Sequence, residues 1–249
     1  YYNASGELAE CETTGTRNEP LDGSQHGVGI YGLYDDGAAH TVVCRDNVMA
    51  DFQKNGMAWA TTGATTLDIQ ITGCDVTGSP GMTADNGDPA QNGIQVYGAG
   101  ITALIDGNTV SGIGYDNTSA ATKWVATSIL DYYANSTISN NLIVDAQTAA
   151  YTIESPVSYL NNDVNVVKVG ESAYGIIAAD PPAAVPAPFD GVEPHAQSAA
   201  RRAGTFAVVI DGTTVSFSGV DNAGSIGMEV DACYYDFLGD GVECIDVDV

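Results

Sequence analysis

Short runs of alternating apolar and polar residues recur along the first two thirds of the chain. Gly27-Val-Gly-Ile-Tyr-Gly32 is followed by Gly56-Met-Ala-Trp-Ala-Thr61, Gly93-Ile-Gln-Val-Tyr-Gly98, Ser128-Ile-Leu-Asp-Tyr-Tyr133 and Ala150-Tyr-Thr-Ile-Glu-Ser155. The second places of these copies are Val28, Met57, Ile94, Ile129 and Tyr151, and the fourth are Ile30, Trp59, Val96, Asp131 and Ile153. A period of two predicts a strand with one buried face. A second unit trails each first one: Val43 to Val48, Ile71 to Val76, Ile105 to Val110, Ile138 to Ile143 and Leu160 to Asn165. Each reads as a short apolar strand, a polar bend and another short strand. The bend often carries Asn or Asp, which tolerate left-handed backbone and bond their own main chain.

Strands that recur without helices between them predict a solenoid, each repeat forming one coil that stacks on the next at about 4.8 Å. Like places then form columns. Asp46, Cys74, Asn108, Asn141 and Asp163 are expected in one, and Tyr31, Ala60, Tyr97, Tyr132 and Glu154 in another on the outer face. The competing arrangement is an antiparallel β-sandwich, whose strands are also short and alternating; alignment in columns favours the solenoid. The Asn-Gly-Ile-Gln-Val and Ile-Asp-Gly-Asn-Thr-Val-Ser-Gly segments, starting at Asn92 and Ile105, resemble the generic repeat of the right-handed parallel β-helix superfamily, the pectate-lyase-like fold. The resemblance covers roughly residues 24–178 and is specific for fold, not activity.

The expected organisation is an N-terminal segment or cap over 1–23, a right-handed parallel β-helix over 24–178, a Pro/Ala-rich linker over 179–204, and a small C-terminal β cap or arm over 205–249. Pro181 to Pro188 is stiff and unable to join a ladder, so it is expected as a crossover. Beyond it Val209-Ile-Asp-Gly-Thr-Thr-Val-Ser216 echoes Leu104-Ile-Asp-Gly-Asn-Thr-Val-Ser111, which fits either a further coil or a hairpin turning at Asp211-Gly212. Two insertions, Gly78 to Asn92 and Ser111 to Thr127, follow the same strand of successive repeats. They are therefore expected to leave one corner side by side, where loops on a rigid scaffold commonly bind.

Charge narrows the function classes. There are 32 acidic residues against 7 basic, a net charge of -25. Such a surface repels nucleic acid and anionic membranes, so no nucleic-acid partner is expected. It suits a saline habitat, an acidic secreted protein or a set of divalent-cation sites. Asp85 and Asp88 in Asp85-Asn-Gly-Asp88-Pro offer oxygen ligands of the kind Ca²⁺ takes, although EF-hand spacing is absent and an acidic turn accounts for the same residues. Five cysteines without a Cys-x-x-Cys pair argue against zinc ribbons and thioredoxin chemistry. Cys233 and Cys244 flank a Gly-Asp turn that a disulfide can bridge. Asn3, Asn117 and Asn135 head glycosylation sequons. With no spanning segment or signal peptide visible, the chain reads as a processed, exported product of the extracellular space or cell surface.

Three function classes follow. The resemblance implies polysaccharide lyases, with a Lys or Arg base beside Ca²⁺-binding carboxylates, or glycoside hydrolases with clustered Asp residues. Lys123, Lys54 and Arg45 are the available bases, but -25 opposes an anionic substrate, and the hydrolase patterns Asn-Thr-Asp, Gly-Asp-Asp, Gly-His-Gly and Arg-Ile-Lys are absent. No catalytic set is therefore assigned. Asp131 stands where other copies carry Ile, Trp or Val. A local register shift, with Leu130 inward and Asp131 outside, is the expected reading, since a buried Asp is costly unless paired. Glycan binding without catalysis would use Tyr97 and Tyr132 as an aromatic platform with Trp124 nearby. The leading expectation is a structural surface protein, because the open ends of a β-helix either need caps or meet neighbouring copies.

Overall fold

The computed structural model describes residues 1–120, 124–170, 173–179, 208–218 and 225–231. Its strands form seven coils of three. The first coil holds β1 (Gly6–Ala9), β2 (Glu12–Thr14) and β3 (Val28–Tyr34); the second, β4 (Ala39–Arg45), β5 (Val48–Ala50) and β6 (Asn55–Thr61). The third holds β7 (Thr66–Thr72), β8 (Asp75–Thr77) and β9 (Asn92–Tyr97); the fourth, β10 (Ile101–Asp106), β11 (Thr109–Ser111) and β12 (Thr127–Tyr132). The fifth holds β13 (Asn135–Ser139), β14 (Leu142–Ala146) and β15 (Thr148–Ile153); the sixth, β16 (Val157–Leu160), β17 (Asp163–Val167) and β18 (Ala173–Ala179). The last holds β19 (Val208–Asp211), β20 (Thr214–Ser218) and β21 (Ser225–Asp231).

Every third strand pairs in parallel, giving three seven-stranded sheets: β1 to β19, β2 to β20 and β3 to β21. The fold is a right-handed parallel β-helix solenoid. The second repeat unit splits at its bend and supplies strands to two sheets, so each coil has three strands where the sequence suggested two. The described part of the C-terminal segment is a coil, not a hairpin: β19, β20 and β21 pair in parallel with β16, β17 and β18. The echo noted above is positional, because Ile105 and Ile210 occupy one column through Ile138 and Tyr159. Within the segment expected as a cap, β1 and β2 join the sheets. The Pro-rich crossover lies outside the described residues.

Inward columns build the core. On the third sheet they run Ile30, Met57, Ile94, Ile129, Ala150 and Ile176; on the first, Cys44, Ile71, Ile105, Ile138 and Tyr159; on the second, Met49, Val76, Val110, Ile143 and Val164. Val28 is thus paired with Asn55 and not with Met57, and Tyr151 pairs with Leu130. At the entry to the third sheet the backbone passes so close that a Cβ on Gly56 would sit 2.5 Å from Val76 Cγ1 and 2.8 Å from the Gly93 carbonyl oxygen. Any side chain there would wedge two coils apart.

The bend between the first and second sheets repeats with one geometry. Glu10, Asp46, Gly73, Gly107, Asn140, Asn161 and Gly212, one per coil, all have φ between 53° and 64°. The next residue points inward, and these form the stack Cys11, Asn47, Cys74, Asn108, Asn141, Asn162 and Thr213. Cys74, Asn108 and Asn141 stand where expected. Asp46 and Asp163 do not; their neighbours Asn47 and Asn162 take the inward place. Each stacked Asn clamps the coil before it. Asn108 Nδ2 donates to the Ile71 carbonyl (3.0 Å) while its Oδ1 accepts the Cys74 amide (2.9 Å). Asn141 does the same to Ile105 and Asn108, and Asn162 to Ile138 and Asn141. These side chains satisfy main-chain groups that the bend removes from the ladders.

Candidate functional site

The two insertions do leave one corner together, between the second and third sheets. Thr83 and Asp116 form a parallel bridge between them, closed by the Ala84 amide to the Asp116 carbonyl (2.9 Å) and the Asp116 amide to the Met82 carbonyl (2.9 Å). Met82, Ile113 and Tyr115 are buried and extend the core outward into the loops. Buried glutamines hold these loops to the scaffold. Gln91 Oε1 accepts the Ser79 amide (3.1 Å), and Gln91 Nε2 donates to the Phe52 carbonyl (2.5 Å). Gln147 Oε1 accepts the amides of Tyr115 (3.2 Å) and Ala126 (2.9 Å), and its Nε2 donates to the carbonyls of Tyr115 and Val169. Gln53 holds Asn18, Asp22 and Ser24 in the same manner. The sequence reading missed these glutamines; their signal is a Gln one or two residues before β6, β9 and β15.

Beside this corner the outer face of the third sheet carries a polar cluster. Asn55 Nδ2 (2.6 Å) and Asn92 Nδ2 (3.3 Å) both donate to Gln95 Oε1, and all three residues are buried. Lys54 Nζ donates to the Ala90 carbonyl at 2.6 Å, and burial pushes its ammonium down to about 8. Further along lie Tyr97 and Tyr132, register partners with ring centroids 5.9 Å apart. Tyr133 completes a trio, 5.8 Å from Tyr97 and 6.2 Å from Tyr132. The Tyr97 ring meets the other two edge-on, at 65° and 68°, so the trio is not a flat platform. Tyr133 has a φ of 67°, a left-handed conformation that is rare for a bulky residue and costs free energy. Of the expected outer column, Ala60, Tyr97 and Tyr132 align; Leu33 and Ile153 take the places expected for Tyr31 and Glu154.

The remaining candidates are dispersed. Trp124 is 54% exposed, and its carbonyl accepts from Asn117 Nδ2 (3.1 Å). Asn117 is itself fully buried, so that sequon offers no exposed amide. Asn3 exchanges hydrogen bonds with Asp35, and Asn135 is exposed at the start of β13. Asp85 sits exposed on a 3-10 turn, Ala84–Asn86. Asp88 is buried; its Oδ2 accepts the Thr83 amide (3.0 Å) and its Oδ1 has no partner. Among the described residues no three His, Cys, Asp or Glu side chains converge as a metal site. Arg45 is held by Glu7 (2.5 Å) and Asp46 (2.8 Å). Cys11, Cys44 and Cys74 are free thiols, and the hydrogen bond with Cys74, followed by burial, pushes the Cys44 thiol up. Lys123, Cys233 and Cys244 lie outside the described residues.

Asp131 corrects the sequence reading. It pairs with Val96 and Thr152 in an inward column and is fully buried, while Leu130 pairs with Gln95 on the outer face. There is no register shift. Among the described residues no helix is long and apolar enough to cross a membrane. No family model, no curated protein and no solved structure matches the chain.

Proposed function

We propose that this protein is a structural, self-associating β-helix of the cell surface or extracellular space, a divergent relative of the pectate-lyase-like superfamily in fold, with other copies of itself as its main partner. One observation carries the reading: at the first coil all three sheets end together on parallel strand edges. Among the described residues β1 and β2 pair on one side only, with β4 and β5. Leu8, on β1, packs against the core and is only half-buried. Only part of β3 is covered, where Tyr2 bridges Leu33. At the opposite end β19, β20 and β21 are the last described strands of the same three sheets. Such edges are templates for another strand. Joining unlike ends is a heterologous contact, which propagates into a filament.

Light scattering and negative-stain microscopy across protein concentration, NaCl and Ca²⁺ test this. Linear particles built by axial stacking are expected once salt screens the acidic surface. Dispersed monomers under every condition would overturn the proposal, and glycan-array binding by those monomers would put a glycan-binding role of the tyrosine face in its place.

A further inference from the structure

Inside the solenoid, at the corner between the third and first sheets, buried polar atoms are left over. Asp131 Oδ1 accepts the Ala134 amide (3.1 Å) and the Ser155 hydroxyl (2.8 Å), whose one proton is shared with the Ile153 carbonyl (2.9 Å). Asp131 Oδ2 has no partner, and neither has the Ser136 hydroxyl oxygen, which is also buried. A hydroxyl both donates and accepts, so the Ser136 oxygen can serve Asp131 Oδ2 in either protonation state, and it is complete burial without a countercharge that favours the protonated one. The Ser136 hydroxyl is near enough to act on the Asp131 carboxyl. Among the described residues no cation hydrogen-bonds to it or shifts its titration. From the neighbouring strands it meets Val96 of β9, Thr152 of β15, Ser136 of β13 and Tyr159 of β16. Tyr159 is the titratable one, and its own hydroxyl is taken up in donating to Thr152 Oγ1 (3.1 Å).

We infer that Asp131 and Ser136 form an internal proton-holding site, in which Oδ2 carries a proton and donates it to Ser136 Oγ. When the acid ionises, the proton leaves to solvent and the hydrogen bond reverses, with Ser136 donating to the carboxylate. Burial opposes ionisation and is the main cause that pushes Asp131 up to about 6; Ser136, Ser155 and the Ala134 amide pull the other way. The unfolded carboxyl titrates near the ordinary value of 3.8. The folded protein therefore binds the extra proton between the two values. Its stabilising effect is complete below pH 3.8 and is lost as pH rises through about 6. The site sits where the fourth, fifth and sixth coils meet, so those coils loosen first on ionisation.

Infrared spectroscopy at pH 5 and pH 8, alongside urea unfolding from pH 4 to 8, tests the inference on wild type, Asp131→Asn and Ser136→Ala. A protonated-carboxyl band is expected at pH 5 that is absent in Asp131→Asn and moves in frequency in Ser136→Ala. Wild-type stability is expected to fall relative to Asp131→Asn as pH rises, with about a tenfold or larger change in the relative unfolding constant. If Asp131→Asn fails to fold, the band shift in Ser136→Ala still decides. Absence of the band at pH 5, or a stability that follows Na⁺ concentration and not pH, would overturn the inference and assign Oδ2 to a carboxylate or to a bound cation.

Discussion

At the residue scale the bend of each coil rests on a division of labour between two adjacent positions. The first must adopt left-handed backbone, and five of its seven occupants are Gly or Asn, with Asp46 and Glu10 the others. Gly pays no steric penalty there, and Asn and Asp pay a small one. The second is short and inward, and its four amide occupants, Asn47, Asn108, Asn141 and Asn162, both donate and accept there. Removing Asn108 strands the Ile71 carbonyl, the Cys74 amide and one contact of Asn141. Asn108→Ala is therefore expected to cost about 3 kcal/mol, measured by chemical denaturation. The stack is weakest at Cys74, whose sulfur lies 3.7 Å from the Cys44 carbonyl where an amide would bond. Cys74→Asn is expected to raise the melting temperature by completing the run from Asn47 to Asn162. A loss of stability there would mean that the thiol is required by its packing against Cys44.

At the scale of elements, the insertions are ordered by side chains that belong to the coils. Gln147 lies just before β15, one coil beyond the loop that it holds, and its amide makes four main-chain hydrogen bonds, to Tyr115, Ala126 and Val169. Gln147→Ala leaves these groups without partners in a buried place. It is expected to free the loop before β12, seen as faster proteolysis and amide exchange across 114–120 and 124–126 while the β9 and β10 amides stay protected. Uniform loss of protection would show instead that the loop and the coils unfold as one. The sequence announced the loops by length and shared position, but nothing in a lone Gln discloses that it will be buried. That depends on the loop folding back over it.

For the whole molecule, charge sets the conditions under which the coil ends meet. Arg17 and Arg45 are engaged with acidic neighbours, Arg17 with Glu19 and Asp51 at 2.8 Å each. A net charge of -25 then leaves most carboxylates repelling one another and their counterparts on other copies. Screening shortens from about 10 Å at 0.1 M to about 3 Å at 1 M ionic strength. The melting temperature is expected to climb by several degrees between 0.05 M and 1 M NaCl in calorimetry, with assembly appearing over the same range. A flat response would mean that carboxylates on the fold are already neutralised locally.

The sequence by itself determined the coil. Alternation showed which strands have an inner face, the recurring Asn, Asp and Gly bends marked one corner in five of the seven coils, and the unequal spacing of the repeats located the insertions. Only the tertiary structure decided register. Because side chains alternate with a period of two, a slip of two residues leaves every face unchanged, so Val28 and Tyr31 were misplaced by two without any conflict in the pattern. At the bends, Asp46-Asn47 and Asn162-Asp163 offer two similar residues in succession, and only the amides and carbonyls of the adjoining coil select the inner one. Asp131 is the sharpest case. Its type argued for the surface, and its neighbours above and below placed it in the core, because strands hydrogen-bonded on both sides cannot turn one side chain outward alone.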